Sequence, residues 1–190
     1  MNKLVFATNN KHKTDEIRLV LAGQYEVLNL SDIGCTKDIP ETADTFEGNA
    51  TLKSSYVVEN FHLDCFADDS GLEIDALNNE PGVYSARYGG SRDTVENMQL
   101  VLQKLNGETN RKARFKTVIS LMLAGQNHIF EGVIEGTIRE SLSGSKGFGY
   151  DPIFQPNGYD ITFAEMDMAE KNKISHRAIA LKKMMEFLKA

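Results

Sequence analysis

The chain opens on a change of hydrophobic period that leaves few choices of fold. Leu4 to Ala7 is a short apolar run, Thr8-Asn9-Asn10-Lys11-His12-Lys13 is polar, and Ile17, Val20 and Leu21 recur at helical spacing before Gly23. A brief apolar run fits a strand, whereas recurrence at three and four residues fits an amphipathic helix that a glycine can end. Tyr25 to Leu30 then supplies a second strand. A strand-helix-strand opening predicts a parallel pair, because the helical crossover returns the second strand in the direction of the first.

The same signals continue down the chain. Asp44 and Glu47 are spaced as a capping box for a helix running to about Phe61, and Asp93 and Glu96 repeat the device for a helix ending near Gly107. Leu63 to Ala67 and Leu72 to Leu77 read as two strands flanking a turn, Asp68-Asp69-Ser70-Gly71. Phe115 to Leu123 and Ile129 to Ile138 read as long strands joined in a hairpin through Gly125-Gln126-Asn127. A last helix, capped by Ser175, carries Ala178, Leu181, Met185 and Leu188 on one face. Parallel units and hairpins together predict an α/β fold with a mixed sheet and flanking helices.

At 190 residues the chain suits one domain, 1–190, possessing one body or two closely joined lobes. Its 27 acids against 21 bases, a net charge of −6, weigh against binding nucleic acid or an anionic membrane, which needs a positive field. The sequence holds no run near the roughly 20 apolar residues of a membrane span, and Met1-Asn2-Lys3 leads straight into a strand-like run, so a cytoplasmic location is expected. Cys35 and Cys65 are too few for a disulfide framework. A phosphate-bearing partner would have to be met by a few placed cations or a metal ion.

Several residues depart from this ordinary pattern. Lys11 and Lys13 sit at a helix start, where the macrodipole is already positive, so a negative group should compensate; Asp15 and Glu16 could do so, or an anion cradled by Thr8, Asn9 and Asn10. Lys53 falls inside the stripe Phe46, Ala50, Val57, Phe61, and either snorkels past its edge or meets an acid or phosphate; without such a ligand it should add little to the fold. Asp68 and Asp69 are adjacent, so they face opposite ways if strand geometry persists through them, and Glu41 adds a third acid upstream of the Lys53 helix. Oxygen-only acids suit a hard cation such as magnesium. The glycine-rich loop 144–152 closes on Phe148 and Tyr150, which can stack on a planar base, while Lys171, Lys173, His176 and Arg177 gather at the front of the last helix.

Together these motifs resemble the Ham1/RdgB family of non-canonical purine NTP pyrophosphatases. The resemblance runs through Thr8, Asn10 and Lys13; Thr45, Phe46, Asn49, Ala50 and Lys53; Ala67 to Leu72; Pro81 to Tyr88; Gly147 to Pro152; and Ser175 to Arg177. Gly48 and Ser54 depart from it, replacing a common acid and a common alanine. The resemblance implies an elongated α/β fold with two lobes about a central substrate cleft, and a homodimer. It implies hydrolysis of dITP, ITP and XTP to the monophosphate and pyrophosphate with magnesium, cleansing the nucleotide pool. By the same resemblance Lys13 and Lys53 bind the triphosphate beside Thr8, Asn9 and Asn10, and Ser70 supports the phosphate end. Glu41 and Asp69 hold the metal, with Asp69 as base, and Phe148, Gly149, Tyr150, Asp151, Lys171, His176 and Arg177 form the base pocket. The rival readings are a Maf-like nucleotide pyrophosphatase and a non-catalytic nucleotide sensor.

Overall fold

Strand β1 (Asn2–Phe6) lies parallel to β2 (Tyr25–Asn29), with Leu4 opposite Val27, and α1 (Lys11–Val20) forms the crossover between them. The computed structural model describes residues 2–189; the side chains of His12, Glu16, Leu19 and Val20, the last two expected roles of Glu16 and Val20 included, lie outside the described residues. On its other edge β1 runs parallel to β3 (Cys65–Ile74), pairing Val5 with Cys65 and Phe6 with Phe66. Leu4 and Val5 are fully buried, as continuous apolar runs in parallel strands usually are. The Phe6 and Phe66 rings stack at 4.5 Å.

The six-stranded sheet has the order β2-β1-β3-β4-β5-β6, completed by β4 (Lys112–Leu123), β5 (Gln126–Ile138) and β6 (Phe154–Pro156). β6 pairs antiparallel with β5, so the sheet is mixed, as expected. The hairpin between β4 and β5 turns at Ala124-Gly125, earlier than the expected 125–127. Both residues take positive φ, 49° and 79°, as a two-residue hairpin of the favoured twist requires.

Three expectations change here. Asp68 to Gly71 is not a turn: β3 runs unbroken through it, because its polar side chains find partners and need not satisfy themselves locally. Helix α2 (Phe46–Phe61) is capped by Thr45 and not Asp44; the Thr45 hydroxyl accepts from the Gly48 N–H at 3.0 Å, and Gly48 has no side chain to reciprocate. Asp93 does cap α3 (Thr94–Lys104), accepting from the Val95 and Glu96 amides. A short helix, α4 (Met168–Ile174), stands where none was expected and carries Lys171 and Lys173 away from the last helix, α5 (His176–Lys189). Ser175 caps α5 through the Ala178 amide at 3.2 Å, and the inward stripe includes Ala180, Leu181, Met184 and Met185.

The chain forms two compact units, Met1–Asp69 with Val118–Phe130, and Ser70–Thr117 with Glu131–Ala190. The first buries Val5, Ala7, Leu30, Val57, Cys65 and Ala67 together. The second packs Leu72, Ile74, Val101, Leu105, Phe154 and Phe163 around Phe115. Among the described residues no helix is long and apolar enough to cross a membrane.

Candidate active site

In the first unit, two lysines converge on Asp68 of β3, one on its carboxylate and one on its main-chain carbonyl. The Lys13 ammonium donates to both oxygens of Asp68 at 2.9 Å, so the compensating charge expected for that helix start comes from the protein's own strand. The first turn of α1 has no acid of its own. Asn10 caps α1, accepting from the Lys13 amide at 3.2 Å, and its own amide donates to the Thr8 hydroxyl at 3.1 Å. The Asn9 carboxamide oxygen accepts from Ser31 at 3.2 Å. The three loop residues proposed as a cradle therefore also fix the loop that presents Lys13.

Lys53 points inward. Its ammonium donates to Glu41 and, at 2.7 Å, to the Asp68 carbonyl, and its side chain is only 13% exposed. It meets an acid and does not snorkel. Burial pulls its pKa down, but the charges of Asp68, Glu41 and Asp69 outweigh burial and leave it above the ordinary lysine value.

Asp69, the neighbour of Asp68 along β3, accepts from the Asn49 carboxamide at 3.0 Å. Burial raises its pKa; Lys53 and the Asn49 bond pull it back, Glu41 and Asp68 push it up again, and it settles at about 6. Asn49 is a site residue that sequence reasoning left without a role. Its signal was present, since positions 46, 49, 50, 53 and 57 share one helical face.

Glu41, Asp68 and Asp69 offer only oxygen, and the charges of Glu41 and Asp68 add to burial in raising Asp69; oxygen donors suit a hard divalent cation. Among the described residues no three metal-ligating side chains group closely enough to enclose an ion by themselves. Magnesium is usually held by one or two carboxylates and completed by phosphate oxygens and water, and Glu41 and Asp69 are the residues here that could serve it.

The second unit holds a cavity of about 330 Å³, lined by Ser70, Phe115, Phe148, Asp151, His176 and Arg177 among others. Phe148 is 62% exposed, with the Lys171 ammonium 4.9 Å from its ring centroid, and His176 stacks on Phe115 at 4.9 Å. Tyr150 and Gly149 also line it; the buried Tyr150 hydroxyl donates to the Ser85 carbonyl at 2.8 Å and pins the glycine loop to the 3₁₀ turn Gly82–Arg87. Lys171 does not line the cavity. It is buried and ion-paired to Asp151, whose carboxylate also accepts from the Phe148 amide at 2.8 Å. Ser70, expected at the phosphate end, lines this cavity and shares a 2.8 Å hydrogen bond with Thr117.

The position of His176 and Arg177 depends on Gly132 of β5. A Cβ there would strike the His176 carbonyl and the Ala180 amide, backbone atoms of the first turn of α5. Gly132→Ala is expected to displace that turn, destabilising the protein by about 2 kcal/mol. Thermal unfolding tests this; a variant with unchanged melting would refute it.

The α/β protein carries a lysine–carboxylate set in its first unit and an aromatic cavity edged by cations in its second. The Ham1 family model matches residues 4–187, and the chain belongs to the Ham1 family. It is 52% identical over 189 residues to the dITP/XTP pyrophosphatase of Flavobacterium johnsoniae, covering 99% of this chain and 98% of that one. To the dITP/XTP pyrophosphatase of Bacillus subtilis it is 44% identical over 195 residues, covering 100% and 98%. The Ham1 protein of Staphylococcus aureus superposes with a TM-score of 0.94 at 39% identity, covering 99% of this chain and 98% of that one. A HAM1 protein from Coxiella burnetii superposes at 0.95 with 38% identity, covering 100% and 99%.

Proposed function

We propose that this protein is a nucleoside-triphosphate pyrophosphatase that hydrolyses the non-canonical purine nucleotides dITP, ITP and XTP to the monophosphate and pyrophosphate. The observation that carries the reading is the convergence of Lys13 and Lys53 on Asp68, with the Lys53 charge acting on Asp69 beside it, in a chain 52% identical to a dITP/XTP pyrophosphatase. Neither rival is favoured: the whole chain matches the Ham1 family, and a sensor needs no carboxylate poised beside phosphate.

Lys13 and Lys53 neutralise the phosphate chain, each exchanging part of its present carboxylate partnership for phosphate oxygens. Asp69, with a pKa of about 6, is mostly ionised at neutral pH yet basic enough to accept a proton. Asn49 holds its carboxylate in place while water attacks the α-phosphorus. The new oxygen–phosphorus bond forms as the bond from the α-phosphorus to the bridging oxygen breaks. Asp69 takes the water's proton, and pyrophosphate leaves with its charge bound by the lysines. Magnesium, for which Glu41 and Asp69 are the proposed ligands, would supply further neutralisation of the phosphate charge. In the second unit Phe148 offers its ring to the base, and Gly149, Tyr150, Asp151, His176 and Arg177 shape the cavity, with Lys171 holding Asp151 from behind. Ser70 belongs to that cavity's wall. A cytoplasmic homodimer is part of the same reading, supported by the family resemblance.

A substrate panel with identified products tests the proposal. Pyrophosphate release from ITP, dITP and XTP in the presence of magnesium, with ATP turned over at least about a hundredfold less efficiently, is expected. Orthophosphate as the product, or equal rates on ATP and ITP, would overturn it.

A further inference from the structure

Arg92 lines the cavity of the second unit, yet no protein group engages it among the described residues: it has no hydrogen bond, ion pair or ring contact. Arg177, on the same cavity, is buried and lies over the Phe148 ring at 5.8 Å. The single carboxylate among the lining residues, Asp151, is already matched by Lys171 and by the Phe148 amide. Arg92 therefore brings to the cavity wall a positive charge that no described protein group meets. On the reading above, this cavity receives the base, and Arg92 stands on its wall. A ribose has no charge, and neither has neutral hypoxanthine. Xanthine differs: in its nucleosides the N3 ring proton leaves near neutral pH, giving an anion delocalised over the dioxo ring, whereas the ring proton of hypoxanthine leaves only in alkali.

We propose that Arg92 is a specificity residue that favours the ionised xanthine ring, so that XTP is preferred over ITP. This rests on the pyrophosphatase reading above and deepens it. An unpartnered guanidinium at a half-open wall offers planar donors to the delocalised anion at no cost in broken protein contacts. Its exposure to water limits the gain to on the order of tenfold, since solvent screens the charge.

The test is the ratio of kcat/KM for XTP to that for ITP, measured from acid to mildly alkaline pH with the wild type, Arg92→Gln and Arg92→Lys. In the wild type the ratio should rise as xanthine ionises. Arg92→Gln should lower the ratio about tenfold at the alkaline end and flatten the rise, and Arg92→Lys should restore most of both. An unchanged ratio, or equal losses on the two substrates, would overturn the assignment. A wild type that releases pyrophosphate from neither nucleotide would instead overturn the pyrophosphatase reading itself.

Discussion

Replacing Asp69 with asparagine is expected to lower kcat about a thousandfold while making the metal-free protein more stable at neutral pH. Both effects come from one observation, a buried carboxylate with a pKa raised to about 6 from an ordinary 3.8. The folded chain holds this proton more tightly than the unfolded chain does. The contribution of Asp69 to stability is thus fully present below about pH 3.8 and is lost as pH rises through about 6. Asparagine has no proton to lose and can still accept the Asn49 hydrogen bond. Its advantage should be nil in acid, grow across that window and level off near 3 kcal/mol above it. Urea unfolding at a series of pH values, with a chelator present, reads the curve. A stability difference independent of pH would contradict the raised pKa, and retained turnover would remove Asp69 as the base.

Lys53→Met is expected to be costly in a way that sequence reasoning did not anticipate. An inward lysine without its ligand should add little to the fold; the structure shows that Lys53 already has ligands, Glu41 and the Asp68 carbonyl, with Asp69 close enough to feel its charge. Removing it leaves Glu41 without its ion pair and Asp69 without the cation that offsets its burial, while Asp68 keeps Lys13. The expected loss is about 3 kcal/mol at neutral pH, less than a fully buried pair would cost because Glu41 is 35% exposed. kcat/KM should fall by roughly a hundredfold or more, since a phosphate-neutralising charge is gone. The loss of stability should shrink in acid as the carboxylates protonate, and Glu41→Gln in the same chain should recover part of it. An unchanged denaturation midpoint would show that the ion pairs contribute nothing.

The strand-helix-strand opening, the long α2 helix and the Ser175 cap were legible because each depends on local period and local hydrogen bonding. The inward direction of Lys53 was legible for the same reason, as a helix repeats its faces regardless of what packs on them. Asp68 to Gly71 was misread for the opposite reason. Asp, Ser and Gly favour turns by bonding their own backbone, and here Lys13, Asn49 and Thr117, each distant in sequence, supply the partners that keep the strand straight. Helix α4 is only seven residues long, too short to show a hydrophobic period.

The sequence by itself determined the α/β class, the mixed sheet and which side chains bear charge where charge is unwelcome, because these follow from residue spacing and from the asymmetry of a helix. Only the tertiary structure decided what those charges meet. Lys13 and Lys53 close on β3 from two different helices, Asp69 acquires its raised pKa from burial among other acids, Lys171 turns to Asp151, and Arg92 keeps its charge unspent on the cavity wall. Electrostatic energy depends on distance through space and on exclusion of water, and neither quantity is written in the spacing of residues along a chain.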